Sequence, residues 1–93
     1  MYRIIDARST GKTGRLMLLA KETNGTIVCA NPMAMQEKAK AYGITGVNFI
    51  SYRQLIDQPI EPFGNYYIDE LENFIKTILV GKGSFQGYTL SED

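Results

Sequence analysis

Ninety-three residues, 44% of them apolar and including six Tyr and four Phe, suffice for one packed core and predict a single domain over residues 1–93, too small for a two-domain enzyme. One cysteine excludes a disulfide framework and a cysteine-rich metal site. The lack of histidine removes Ser–His and Cys–His nucleophile pairs and the commonest metal ligand. Lys+Arg and Asp+Glu balance at 10 each, so net charge exerts no overall pull towards nucleic acid or an anionic membrane. No apolar run approaches the ~20 residues of a membrane span. The opening Met1-Tyr-Arg-Ile-Ile5 lacks the apolar stretch and cleavage site of a signal peptide. A cytoplasmic protein with no membrane partner is the expectation.

In chain order, Tyr2–Ile5 reads as a short strand running into a Ser/Thr/Gly loop. Residues 12–23 read as a helix with Leu16, Leu19 and Ala20 on one face, stopped by Asn24-Gly25. Thr26–Ala30 is rich in β-branched residues and reads as a buried strand. Asn31-Pro32 opens a second helix, with Asn as cap and Pro at the first helical position, ending near Gly43. Val47–Ile50 is a third strand, and Ser51-Tyr-Arg-Gln54 has the spacing of a capping box before a short helix through Leu55 and Ile56. Residues 57–65, with two prolines and a glycine, read as a loop, followed by a strand at Tyr66–Ile68. A helix over 71–80 places Leu71, Phe74, Ile75 and Ile78 on one face. Gly81-Lys-Gly83 is a turn, and Phe85–Leu90 reads as a last, edge strand. Cys29 and the methionines, Met33 and Met35 among them, read as core filling. Tyr66 and Tyr67 face opposite sides of their strand, and Tyr42, Tyr52 and Tyr88 form no base-stacking pattern.

Strands alternating with helices predict a mostly parallel sheet of four to five strands covered on both faces, with every strand's carboxyl end on one rim. Ligands of such sheets bind at that rim, where the loops begin at Asp6, Asn31, Ser51 and Asp69. The first of these loops closes on Gly11-Lys12-Thr13 between a strand and a helix, the arrangement of a phosphate-binding loop. Successive backbone N–H groups and the positive helix end converge on phosphate oxygens, a lysine at this position reaches the β- and γ-phosphates, and the Thr13 hydroxyl is placed for Mg²⁺. The Tyr66-Tyr-Ile-Asp69-Glu70 run delivers two acids to the same rim. In a nucleotide site the first, Asp69, holds the metal and its water shell, and the second, Glu70, orients or deprotonates the attacking water. Charge is divided accordingly: residues 1–21 carry five bases and one acid, whereas 57–72 carry five acids and no base. The same residues also read more plainly, Lys12 and Thr13 as an ordinary helix start and Asp69 and Glu70 as first-turn acids complementing a helix dipole.

Gly11-Lys12-Thr13 after a strand, with Tyr66-Tyr-Ile-Asp69-Glu70 ending a later one, resembles the Walker A and Walker B motifs of P-loop NTPases. The adjacent Asp-Glu resembles the branch containing helicases, packaging ATPases and AAA-type proteins. With Thr26–Pro32 and Phe49–Arg53 between, residues 2–80 look like the first half of a helicase or terminase ATPase core, and like the small P-loop proteins of phage genomes. The resemblance implies a three-layer P-loop fold. It implies ATP or another nucleotide held by Ser9, Thr10, Gly11, Lys12, Thr13 and Gly14, Mg²⁺ held by Thr13 and Asp69, and catalysis by Glu70 and Lys12. An arginine finger would come from a second copy of the chain or a protein partner.

Three features depart from the pattern. Asp6 stands where the Walker A motif has glycine, and its carboxylate can repel phosphate or pair with Lys12. Gly14 falls in the first helical turn, where glycine costs about 1 kcal/mol relative to alanine. The chain also stops soon after the second motif. The leading expectation is therefore Mg²⁺-dependent ATP binding with slow or partner-dependent hydrolysis. The alternative is a non-catalytic interaction protein, such as a phage-encoded regulator or inhibitor, on a degenerate P-loop scaffold. A nucleic-acid accessory role for the basic first segment ranks third.

Overall fold

The computed structural model describes residues 11–57 and 64–89. Helix α1 (Lys12–Glu22) leads into strand β1 (Thr26–Cys29), helix α2 (Pro32–Ala41), strand β2 (Asn48–Ser51), helix α3 (Tyr52–Asp57), strand β3 (Tyr66–Ile68) and helix α4 (Leu71–Ile78). The three strands form one parallel sheet in the order β2-β1-β3, with Thr26 level with both Asn48 and Tyr66. The predicted α/β class with a parallel, helix-flanked sheet is therefore present.

The pleat sorts the core into two halves. Ile27, Cys29, Phe49 and Tyr67 face one side, where Met17 and Ala20 of α1 and Met35 and Ala39 of α2 pack on them. Val28, Ile50, Tyr66 and Ile68 face the other, under Tyr52 and Leu55 of α3 and Phe74 of α4. Tyr66 and Tyr67 thus divide between the faces as their alternation predicts. Cys29 is buried as expected, and so is Met35, whereas Met33 is 79% exposed and fills no core. Helix α4 has no buried residue, and its Leu71 and Ile78 stand largely exposed.

The local signals behave as the residues dictate. The Asn31 side chain accepts from the Ala34 N–H at 3.2 Å, with Pro32 in the first turn. Ser51 and Gln54 form the reciprocal box: the Gln54 N–H donates to Ser51 Oγ at 3.0 Å and the Ser51 N–H to Gln54 Oε1 at 2.8 Å. Helix α1 stops where Asn24 takes the left-handed conformation (φ 53°) and the Gly25 N–H returns to the Ala20 carbonyl at 2.7 Å. Gly25 is required for space: a Cβ there would lie 2.6 Å from Cε2 of Tyr67.

Three expectations are corrected. The described sheet has three strands, not four or five. Residues 83–89 form no ladder, so the predicted edge strand is absent over Phe85–Thr89; Leu90 lies outside the described residues, as does the predicted strand at Tyr2–Ile5. The reason at the carboxyl end is geometric. Phe85 and Tyr88 stack on each other, ring centroids 5.6 Å apart and planes 17° from parallel, whereas residues three apart in a strand point to opposite faces. Helix α4 also ends at Ile78 rather than 80: Leu79 and Val80 form a turn that closes when the Lys82 N–H reaches the Leu79 carbonyl at 2.8 Å, ahead of Gly81 at φ 77°.

Candidate functional site

The parallel register carries the ends of β1, β2 and β3 to one rim, and the cleft of interest lies there. Its first wall is the start of α1. Gly11 sits at φ 80°, ψ 15°, its carbonyl accepts from the Arg15 N–H at 3.1 Å, and among the described residues no side chain caps the helix. The first turn holds no acid. The leading amides of Lys12 and Thr13 thus present the positive helix end without an internal anion of their own turn.

The second wall is the Asp69–Glu70 corner. Asp69 continues the strand geometry by one residue, its N–H donating to the Val28 carbonyl at 2.9 Å. Glu70 then turns the chain in the left-handed region (φ 56°), a conformation that a non-glycine residue adopts only when its surroundings impose it, and its carbonyl begins α4 by accepting from the Phe74 N–H. Tyr52 supplies the constraint. Its buried hydroxyl donates to the Asp69 carbonyl at 2.6 Å and lies 3.3 Å from that of Glu70, while its ring meets Phe74 edge-on at 5.5 Å. Burial, then the carboxylates of Asp69 and Glu70 nearby, push the Tyr52 hydroxyl up to about 12.

The two walls meet through an ion pair: Lys12 Nζ lies 2.8 Å from Glu70 Oε1, with the side chains 25% and 44% exposed. Asp69, behind it, is half-buried. Its carboxyl is pushed above the ordinary carboxylate range by desolvation first and by the Glu70 charge second, against the opposing pull of Lys12 and Lys38. A third wall comes from α2, which brings Lys38 and Tyr42 to the cleft. Gly11, Lys12, Thr13, Lys38, Tyr42, Asp69, Glu70 and Asn73 together enclose about 470 Å³.

Of the residues singled out from the sequence, Gly11, Lys12, Thr13, Asp69 and Glu70 are thus gathered in one cleft. Gly14 is beside it, where an added Cβ would stand 3.6 Å from Cε2 of Tyr42. Ser9, Thr10 and Asp6 lie outside the described residues; among the described residues Lys12 pairs with Glu70. Lys38, Tyr42 and Asn73 were missed, although Lys38 and Tyr42 at i and i+4 share a helix face. Tyr52 was missed too, reading only as part of a capped helix start.

A hard cation fits this donor set. Among the described residues no three of His, Cys, Asp and Glu converge on one point. Asp69 and Thr13 share the cleft, however, and Mg²⁺ characteristically takes one or two protein oxygens and completes its shell with water and phosphate. Excess negative charge held in a partly desolvated place, as at Asp69, is what such a cation relieves. None of the described helices is long and apolar enough to cross a membrane. Comparison with protein-family models, with curated proteins and with solved structures gives no match for this chain.

Proposed function

We propose that the chain is a minimal P-loop protein that binds Mg²⁺–ATP or a related nucleoside triphosphate in the Lys12–Glu70 cleft and hydrolyses it slowly or with a partner's help. The observation that carries this reading is the convergence of Lys12 and Thr13, at an uncapped helix start, with Asp69 and Glu70, at the end of a parallel strand, across an ion pair of 2.8 Å. Lysine, helix amides and a hydroxyl on one wall complement phosphate oxygens; the two acids opposite complement a metal and a water.

In this reading the triphosphate takes Lys12 from Glu70. Lys12 and the leading amides of α1 then stabilise the charge that develops on the phosphoryl oxygens. The freed Glu70 carboxylate orients the water that attacks the γ-phosphorus in line and accepts its proton, while ADP leaves with the bridging oxygen. Asp69 and Thr13 would hold Mg²⁺, which would supply neutralisation of phosphate charge. Arginine from a second copy of the chain or from another protein would complete the charge stabilisation.

A second reading has one observation in its favour: Lys12 is already neutralised by Glu70, as it would be permanently in a non-catalytic interaction protein that kept the scaffold and lost the nucleotide. Glu70→Gln separates the two. Binding of Mg²⁺–ATP retained with turnover abolished supports the hydrolase. Turnover equal to wild type removes Glu70 from the mechanism. Absence of nucleotide binding in wild type and variant alike favours the interaction protein.

A further inference from the structure

Helix α2 and its C-cap residue contribute two side chains to the cleft, Lys38 and Tyr42, that neither motif accounts for. Lys38 and Tyr42 are one turn apart, joined by the Tyr42 N–H to Lys38 carbonyl bond of 3.0 Å, and so project from the same face. Lys38 lines the cleft together with Lys12 and Asp69, and its charge opposes the upward push on the Asp69 carboxyl. Tyr42, one turn on, is 55% exposed although its ring lies against the first turn of α1. The contact there is with Gly14. A Cβ at that position would stand 3.6 and 3.8 Å from Cε2 and Cδ2 of Tyr42, in van der Waals contact with that edge of the ring, so a larger side chain would crowd it. Glycine in a helical turn is unfavourable in itself, and here it leaves the aromatic surface open. An aromatic ring kept open to a cleft whose far end holds lysines and a helix start matches a ligand with an anionic end and a flat, unsaturated end.

We infer that Tyr42 is the nucleobase platform of this site, so that the ligand is a whole nucleoside triphosphate, its phosphates between Lys12 and Lys38 and its base stacked on the Tyr42 ring. Stacking on an aromatic face is tolerant of base identity, because every base has a π-face, so the four common nucleoside triphosphates bind with similar affinity. The inference rests on the reading of the cleft as a phosphate site, and two probes keep the two apart: Mg²⁺–ATP, which has a base, and Mg²⁺–tripolyphosphate, which has none. By isothermal titration, Tyr42→Ala weakens ATP about fivefold to 150-fold, the range of measured base–aromatic stacking, and leaves tripolyphosphate unchanged. Tyr42→Phe, which keeps the ring, retains ATP affinity within about twofold. Lys38→Ala weakens both probes alike. ATP binding unaffected by Tyr42→Ala, or equal loss of both probes, overturns the platform while leaving the phosphate site standing. Failure of wild type to bind either probe overturns the phosphate site, and the platform with it.

Discussion

The Lys12–Glu70 pair has to be weak enough to open. Its side chains are 25% and 44% exposed, so solvent screens them, and a pair of this kind contributes about 0.2–1 kcal/mol. A ligand at about 100 times its dissociation constant contributes roughly 2.7 kcal/mol, several times as much. A triphosphate can therefore take Lys12 from Glu70 without unfolding anything. A double-mutant cycle of Lys12→Met and Glu70→Gln, read by urea unfolding, measures the pair. The expected coupling is below about 1 kcal/mol, falling in 0.5 M salt, and each single variant moves the thermal midpoint by no more than about 4–8 °C. Glu70→Gln also removes the anion that competes for Lys12, so its affinity for Mg²⁺–ATP rises by up to about fivefold. A coupling above about 3 kcal/mol, insensitive to salt, would refute the reasoning. The pair would then be a fixed structural bridge occupying the place assigned to phosphate.

Three further outcomes follow from the same geometry. Gly25→Ala forces a Cβ to within 2.6 Å of a Tyr67 ring whose hydroxyl is tied to Thr23 at 2.7 Å, so the ring has little room to yield; urea unfolding should show a loss of about 1–3 kcal/mol, and a neutral result would mean the ring moves freely. Asp69→Asn removes a charge that desolvation disfavours. The native carboxyl holds its proton more tightly than the unfolded one, so its contribution to stability is full at low pH and is lost as pH rises through the carboxylate range. The ligand-free variant should accordingly melt higher than wild type near pH 7, with the difference closing towards pH 3, and a lower melting point would contradict the cause assigned. Burial first, then the Asp69 charge, push the Cys29 thiol up to about 11 from 9.0, so its thiolate fraction at pH 8 is about 100-fold below that of an ordinary cysteine; iodoacetamide should label it at least that much more slowly in the native chain than in urea, and equal rates would refute its burial.

The features legible in the sequence are those whose causes are local. The Asn31 cap with Pro32, the Ser51–Gln54 box and the Asn24-Gly25 stop each involve residues within five of one another, and each is formed as read. Asp69 and Glu70 lie between β3 and α4, where the ends of parallel strands meet on one rim, and Lys12 and Thr13 open α1 in the same cleft. That no strand forms over Phe85–Thr89, where one was expected, was not legible, because a strand needs a partner and Phe85 stacks on Tyr88 instead. Lys38 and Tyr42 reach the cleft only through the way α2 lies beside α1, set by Met35 and Ala39 packing on the same core as Met17 and Ala20. The hold of Tyr52 on the Asp69 carbonyl spans 17 residues and depends on α3 and α4 sharing a face of the sheet. Nothing in the sequence spacing encodes either contact.

The most direct test is thermal unfolding of the intact chain with and without millimolar Mg²⁺–ATP, with Lys12→Ala as the control. A site filled at about 100 times its dissociation constant should raise the midpoint by on the order of 10 °C in a domain of this size. That rise, abolished in Lys12→Ala while the ligand-free midpoints of the two proteins differ by no more than the about 4–8 °C that the 1 kcal/mol limit of the ion pair allows, is the expected result. An unchanged midpoint in wild type, or an equal rise in the variant, would contradict a phosphate site at Lys12.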